Sequence, residues 1–260
     1  ILNMIVKIPY DKDNLSLKRH YKVLEIGPGD DPVYRANVLV DNNPVENYHR
    51  LGELKIFKHQ SLIVSNVEKL PFKDKEFDYV ICSHVLEHVD NPGLALEELF
   101  RVAKMGYIEV PSFVSELQSS KTSHKWVVLM IEGKMVFYNK SKVPFPFGDM
   151  YGHLFTSYLP YKSLPFRLFA MYRNNAQNVK AEWVGRLDYI VDPQEAKYNR
   201  FFLNRWDSDM ISQVFPPSKK TRELIDTLKA ILYFVYSRLK HLIFVRDKAV
   251  PYSHTLKNSR

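Results

Sequence analysis

Residues 23–44 read VLEIGPGDDPVYRANVLVDNNP, and this stretch decides the fold. Its opening run, Val23 to Ile26, has the apolar character of a strand covered on both faces, as in a parallel sheet. Gly27 and Gly29 follow at once, so the chain turns where backbone can come close to a bound ligand. A second apolar run, Val38 to Val40, ends in Asp41, and an acidic residue at such a strand tip can accept hydrogen bonds from both hydroxyls of a ribose. A nucleoside site is therefore predicted where these two strands end. Too few residues separate Gly29 from Asp41 for a long crossover helix, and Pro32 interrupts those present, so a loop or single turn is expected between the strands.

The surrounding chain is consistent with a globular protein. Its 260 residues are 45% hydrophobic and 13% aromatic, enough to bury a large core, and no repeat or low-complexity segment stands out. The single cysteine, Cys82, excludes an internal disulfide and suits a reducing compartment, so cytoplasm is the expected location. No run reaches the roughly 18 apolar residues of a membrane-spanning helix, and no signal-peptide pattern opens the chain. The first residue is Ile1, so the sequence is read either as trimmed or as part of a longer polypeptide. The net charge of +8 is concentrated toward Lys219 to Arg260, which would attract phosphate, anionic lipid or nucleic acid. Arginine interleaved with stacking aromatics is not gathered in any one segment, so nucleic acid is not the favoured partner.

Residues 1–20 read as a polar arm and 21–112 as the ligand-binding core. Strands are predicted at Ser61 to Val64, Phe77 to Cys82 and Tyr107 to Val110. A helix is predicted over Leu94 to Val102, with Leu94, Leu96, Leu99, Phe100 and Val102 against the sheet. Alternation of strands and helices predicts an α/β fold, a Rossmann-like doubly wound, mostly parallel sheet. Residues 113–200 read as an acceptor-binding insertion and the end of the sheet. They include a hairpin turning at Glu132-Gly133-Lys134, a proline- and aromatic-rich lid, and a late strand over Trp183 to Val191. Residues 201–260 read as a basic helical extension. Its helix over 221–246 carries Leu224, Leu228, Ile231, Val235, Leu239 and Leu242 on one face, for docking on the body or a second chain, or for peripheral contact with an anionic membrane.

Five segments, LEIGPG, LVDNN, SNVEKLPF, FDYVICSHVLEHV and RVAKMGYIEVPS, resemble in order and spacing the motifs of class I S-adenosylmethionine-dependent methyltransferases of the type 11 kind. The resemblance covers about residues 21–112 and implies a seven-stranded methyltransferase sheet, with S-adenosyl-L-methionine as cofactor and S-adenosyl-L-homocysteine as product. It implies that Glu25, Gly27, Pro28 and Gly29 wrap the methionine part, and that Asp41 and Asn42 meet the ribose. Asn66 and Val67 would read the adenine, and Ser83 and His84 would lie beside the methionine. The chain departs from the family in Asp30-Asp31-Pro32, where a third glycine and a helix are usual, and in the short turn Lys104-Met105-Gly106. LEIGPG, CSHVLEHV and a His-x-Trp at His124 also resemble a subgroup associated with glycan modification.

A hydroxyl acceptor needs a proton sink, and histidine is suited to it. His88 is the first candidate, with His124 beside Trp126 and His153 near Asp149 as the others. Trp126, His153 and the segment Phe145 to Phe155 are expected to shape the acceptor pocket, and aromatic faces suit a sugar ring as well as other rings. The histidines and carboxylates have no metal-ligand spacing, so no metal is expected. The favoured reading is O-methylation of a sugar hydroxyl on a glycan or glycoconjugate. The alternatives are an RNA or small-molecule methyltransferase, or a non-catalytic cofactor-binding module. A nicotinamide dehydrogenase is disfavoured, because G-x-G-x-x-G opening a helix is missing.

Overall fold

A computed structural model describes residues 4–45, 52–148, 150–244 and 248–253. Asp149 and the end of the basic helix at 245–246 lie outside the described residues. Along the chain come β1 (Met4–Lys7), β2 (Val23–Ile26), β3 (Val38–Asp41), β4 (Lys55–Ile56), β5 (Ser61–Val64) and β6 (Phe77–Ser83). Then follow α1 (Pro92–Val102), β7 (Ala103–Pro111), α2 (Phe113–Gln118), β8 (Trp126–Ile131) and β9 (Lys134–Asn139). A turn of π-helix (Leu154–Tyr158) leads into α3 (Leu159–Lys162) and α4 (Leu164–Tyr172). The chain continues with β10 (Asn178–Val184), β11 (Tyr189–Val191), α5 (Ala196–Leu203), α6 (Ser208–Val214), α7 (Lys220–Phe244) and β12 (Val250–Pro251).

The central sheet has the order β1-β10-β7-β6-β2-β3-β5. The five strands from β7 to β5 are parallel, β10 runs antiparallel to β7, and β1 antiparallel to β10. Six strands belong to the body of the chain, and the seventh comes from the N-terminal arm, whose opening residues were expected only as a polar lead. The region Trp183 to Val191, expected as one strand, is divided. Residues up to Val184 stay in the central sheet, a left-handed Gly185 (φ 73°) follows, and β11 pairs with β9 in a second sheet of order β11-β9-β8.

The parallel strands are buried as their composition demands, and Val23, Leu24, Leu39, Val40, Phe77, Val80 and Ile81 have no exposed surface. Each such side chain contributes roughly 1.5–3 kcal/mol relative to exposure. α1 begins where Asn91 caps Leu94 N at 3.1 Å and Pro92 occupies the first turn. It buries Ala95, Leu96, Leu99 and Phe100 against one face of the sheet together with Trp183 and Phe137. Leu94, expected on that face, is 52% exposed, because it sits in the first turn and points outward. The opposite face is covered by Val33 and Ala36 from the β2–β3 crossover, by Leu54 and Ile56, and by Leu15, Leu17 and Tyr21 of the arm. The crossover is non-helical, as Pro32 led us to expect. A third cluster joins the outer face of β8 and β9 to α5 and α6 through Phe113, Phe201 and Phe202.

Candidate active site

The carboxyl ends of β2, β3, β5, β6 and β7 fall along one edge of the sheet. Connections run from β2 toward β5 on one side and from β6 toward β7 on the other, so strand order reverses between β2 and β6. Ligands of open α/β sheets bind at such a switch point. A cavity of about 410 Å³ lies there, lined by Gly27, Gly29, Asp41, Asn42, Asn66 and Val67, with His84, Val85 and His88 opposite.

Gly27 (φ 62°) and Gly29 (φ 60°) both take left-handed backbone. A Cβ on Gly27 would lie 2.4 Å from Val85 Cγ2, so the turn closes against the β6 loop only without a side chain. That cradle is what a bound methionine moiety needs. Asp41 Oδ1 accepts Asn43 N at 2.8 Å, which holds the carboxylate at the strand tip. Asn66 Oδ1 accepts Glu68 N at 2.9 Å, leaving its amide at the cavity wall and the carbonyl with a second lone pair.

The other residues expected to contact cofactor sit one layer back. Glu25 is buried beneath the turn and accepts Val33 N at 2.8 Å, so it fastens the crossover instead of lining the cavity. Burial pushes its carboxyl up to about 7, against the opposing pull of the Lys12 ammonium and the Val33 N–H. Pro28 is not on the cavity wall, and Ser83 turns its hydroxyl toward Glu109 Oε2 at 3.5 Å.

A second cavity of about 620 Å³ adjoins the first, and His84 lines both. His84 is held in left-handed backbone (φ 57°), with its N–H donated to Glu109 O at 2.8 Å. A non-glycine residue in this conformation persists because the surroundings impose it. Glu109, Asn178 and Lys180 form the floor, Glu116 and His124 one wall, and Phe155, Tyr161, Phe166 and Arg167 the lid. α7 closes the far side with Phe234, Ser237 and Arg238.

This wall differs from the expected one. Of the segment Phe145 to Phe155, only Phe155 among the described residues reaches the cavity, because Phe145 and Phe147 pack on the cluster around Phe113 and Phe202. Trp126 packs against the main core and donates its indole N–H to Val89 O at 2.9 Å. His153 is exposed and lines neither cavity. His88 borders the first cavity and His124 the second.

Lys180 carries no signal of a site in the sequence, since in NVKAEWV it occupies a polar position of an alternating strand. In the fold it is buried, and its ammonium donates to Tyr10 O, Ala170 O and Met171 O at 2.9–3.3 Å. Two of those carbonyls end α4, so the charge ties the lid helix to the sheet and complements its dipole. Burial lowers the Lys180 pKa, partly offset by Glu109 and Asp11.

Residues 24–108 match the family model described as "Methyltransferase domain". An uncharacterized protein of Methanocaldococcus jannaschii is 31% identical over 125 residues, 44% of this chain and 60% of that protein. The demethylmenaquinone methyltransferase of Anoxybacillus flavithermus is 39% identical over 64 residues, 23% of this chain and 27% of that enzyme. The chain thus spans less than two thirds of the length of either relative. A solved Thermotoga maritima structure, described as an S-adenosylmethionine-dependent methyltransferase and possible histamine N-methyltransferase, is 25% identical. It covers 36% of this chain and 45% of its own, with a TM-score of 0.27. Residues 24–108 thus resemble a methyltransferase domain, the central sheet has the Rossmann-like build of class I methyltransferases, and S-adenosylmethionine is the cofactor such a domain uses.

Proposed function

We propose that the protein transfers the methyl group of S-adenosylmethionine to a hydroxyl of a carbohydrate or glycoconjugate held in the larger cavity. The observation that carries this reading is His84, which borders both the cofactor cleft and the second cavity, so that donor and acceptor would meet at one side chain. Bound cofactor supplies an electrophilic sulfonium methyl group. The protein's part is to position the acceptor and exclude water. Gly27, Gly29, Asp41, Asn42, Asn66 and Val67 would hold the cofactor. His84 is the group placed to take the hydrogen bond of the acceptor hydroxyl. Asp11, Glu109, Asn178 and Arg167 present polar atoms for a polyhydroxylated ring, while Phe155, Tyr161 and Phe166 offer faces for its apolar side.

A second reading, methylation of a quinone-like ring, follows the name of the Anoxybacillus flavithermus relative and the apolar surface beside the cavity. Among the described residues no helix is long and apolar enough to cross a membrane. α7 nevertheless exposes Leu224, Leu228, Leu232 and Leu239 beside Lys229 and Arg238, a pattern suited to the surface of an anionic bilayer. Calorimetric titration of S-adenosylhomocysteine tests the cofactor site, with micromolar binding expected. Transfer from radiolabelled cofactor to panels of glycans, quinols and RNA then tests the acceptor. Label in glycan that disappears in His84→Ala supports the proposal, and label confined to quinol or RNA overturns it.

A further inference from the structure

Glu87 is 1% exposed, and neither carboxylate oxygen has a hydrogen-bond partner. A buried, unpartnered carboxylate is costly, so its surroundings should explain it. Three imidazoles converge on Glu87 Oε1: His84 Nδ1 at 3.5 Å, His88 Nε2 at 3.8 Å and His124 Nε2 at 4.0 Å. These contacts are too long or too poorly aligned for strong hydrogen bonds, yet close enough to enclose one ion.

The far side of two of the rings is anchored. His124 Nδ1 donates to Glu116 Oε2 at 2.7 Å, and Glu116 is itself held by Lys140 Nζ at 2.5 Å and by Ser120 Oγ and Lys121 N at 3.0 Å. His88 Nδ1 lies 3.1 Å from Ser123 O, and since a carbonyl only accepts, the proton is on Nδ1. Both rings therefore turn Nε2 toward Glu87. Metal-binding histidines are held in this way, with the outer nitrogen donated to a carboxylate or carbonyl.

One donor atom from each of Glu87, His88 and His124 lies within 4.8 Å of the others. Donor atoms around a tetrahedral zinc with bonds of about 2.0–2.2 Å lie about 3.4 Å apart, so rotamer shifts of about 1–1.5 Å would close the set. We propose that Glu87, His88 and His124 bind one divalent transition-metal ion of the zinc type, with water in the fourth position. Two imidazoles and one carboxylate select such an ion over magnesium or calcium. The ion would sit under the boundary of the two cavities and brace the 84–90 loop against the start of β8, which already meet through Lys125 N and Glu87 O at 2.7 Å. The inference does not rest on methyl transfer.

The test uses the whole chain, stripped with chelator and titrated with Zn²⁺, Co²⁺ and Mg²⁺. Expected are one Zn²⁺ per chain by elemental analysis, a higher melting temperature with Zn²⁺ but not Mg²⁺, and the intense visible bands of four-coordinate Co²⁺. Glu116→Gln should weaken Zn²⁺ binding about 10–100-fold with the fold retained, and His88→Asn should abolish it. Weak octahedral Co²⁺ bands, or Zn²⁺ bound equally by wild type and both variants, would overturn the proposal. S-adenosylhomocysteine titrated into the same samples separates loss of metal from loss of the cofactor site.

Discussion

Asp41 and Gly27 show how far single residues constrain function. Asp41→Ala should abolish S-adenosylhomocysteine binding in calorimetry, since the ribose would lose its acceptor while the Asx turn to Asn43 is a minor contributor to folding. Gly27→Ala places a methyl group 2.4 Å from Val85 Cγ2 in left-handed backbone. It should cost at least about 1–2 kcal/mol in thermal unfolding from backbone strain alone, and binding should weaken with it. Glu25 has a pH signature. Its folded pKa of about 7 lies above the ordinary 4.5, so the folded state holds its proton more tightly than the unfolded one. Its contribution is complete below about pH 4.5 and is lost as pH rises through 7, a loss of at most about 3 kcal/mol. Denaturant melts of Glu25→Gln across that window should lack this slope, because the amide still accepts Val33 N–H and never ionises.

At the scale of elements, the lid and α7 carry the predictions. Lys180→Met removes the ammonium that gathers the part-buried Tyr10, Ala170 and Met171 carbonyls, a cost of about 1–3 kcal/mol. Amide hydrogen exchange should rise in α4 more than in β2 or β6. α7 turns Ala230, Tyr233 and Phe234 toward the body, with Tyr233 O–H donating to Asp11 at 2.6 Å and Arg167 lying over the Phe234 ring. The stripe of Leu224, Leu228, Ile231, Val235 and Leu239, expected to dock on the body or a second chain or to lie on an anionic membrane, faces away from the body, and Leu232 is 70% exposed, while the side chain of Leu242 lies outside the described residues. If that face rests on anionic lipid, Leu228→Glu with Leu232→Glu should cut co-sedimentation with phosphatidylserine vesicles at least tenfold. S-adenosylhomocysteine affinity should be unchanged, since neither residue approaches the cleft.

Across the whole molecule, the two cavities are products of different parts of the chain. The first cavity is built from neighbouring strand ends of one sheet, while the second gathers β7, α2, the lid, β10, α7 and the N-terminal arm. Substitutions in the lid should therefore separate the two ligands. Phe166→Ala should raise the acceptor KM several-fold and leave cofactor affinity alone. Measuring both constants on one preparation checks whether the cavities act as distinct subsites.

The parallel core, the helix-free crossover at Pro32 and a glycine-paired turn at a strand end could be read from the residues alone. Strand burial, turn chemistry and strand-tip acidity are local properties, and they recur within short stretches such as 23–44. Asp41, Asn66 and His84 come to line the first cavity for the same reason, since each sits at or just after a strand end that the pattern marks. Tertiary structure alone decided that the arm supplies a seventh strand, that Trp126 and Phe145 serve the core, and that Phe166 and Lys180 belong to the second cavity. It also brought His124 to Glu87 and His88 through the contact of β8 with the 84–90 loop. No spacing encodes that meeting, because it depends on which surfaces pack once the sheet has formed.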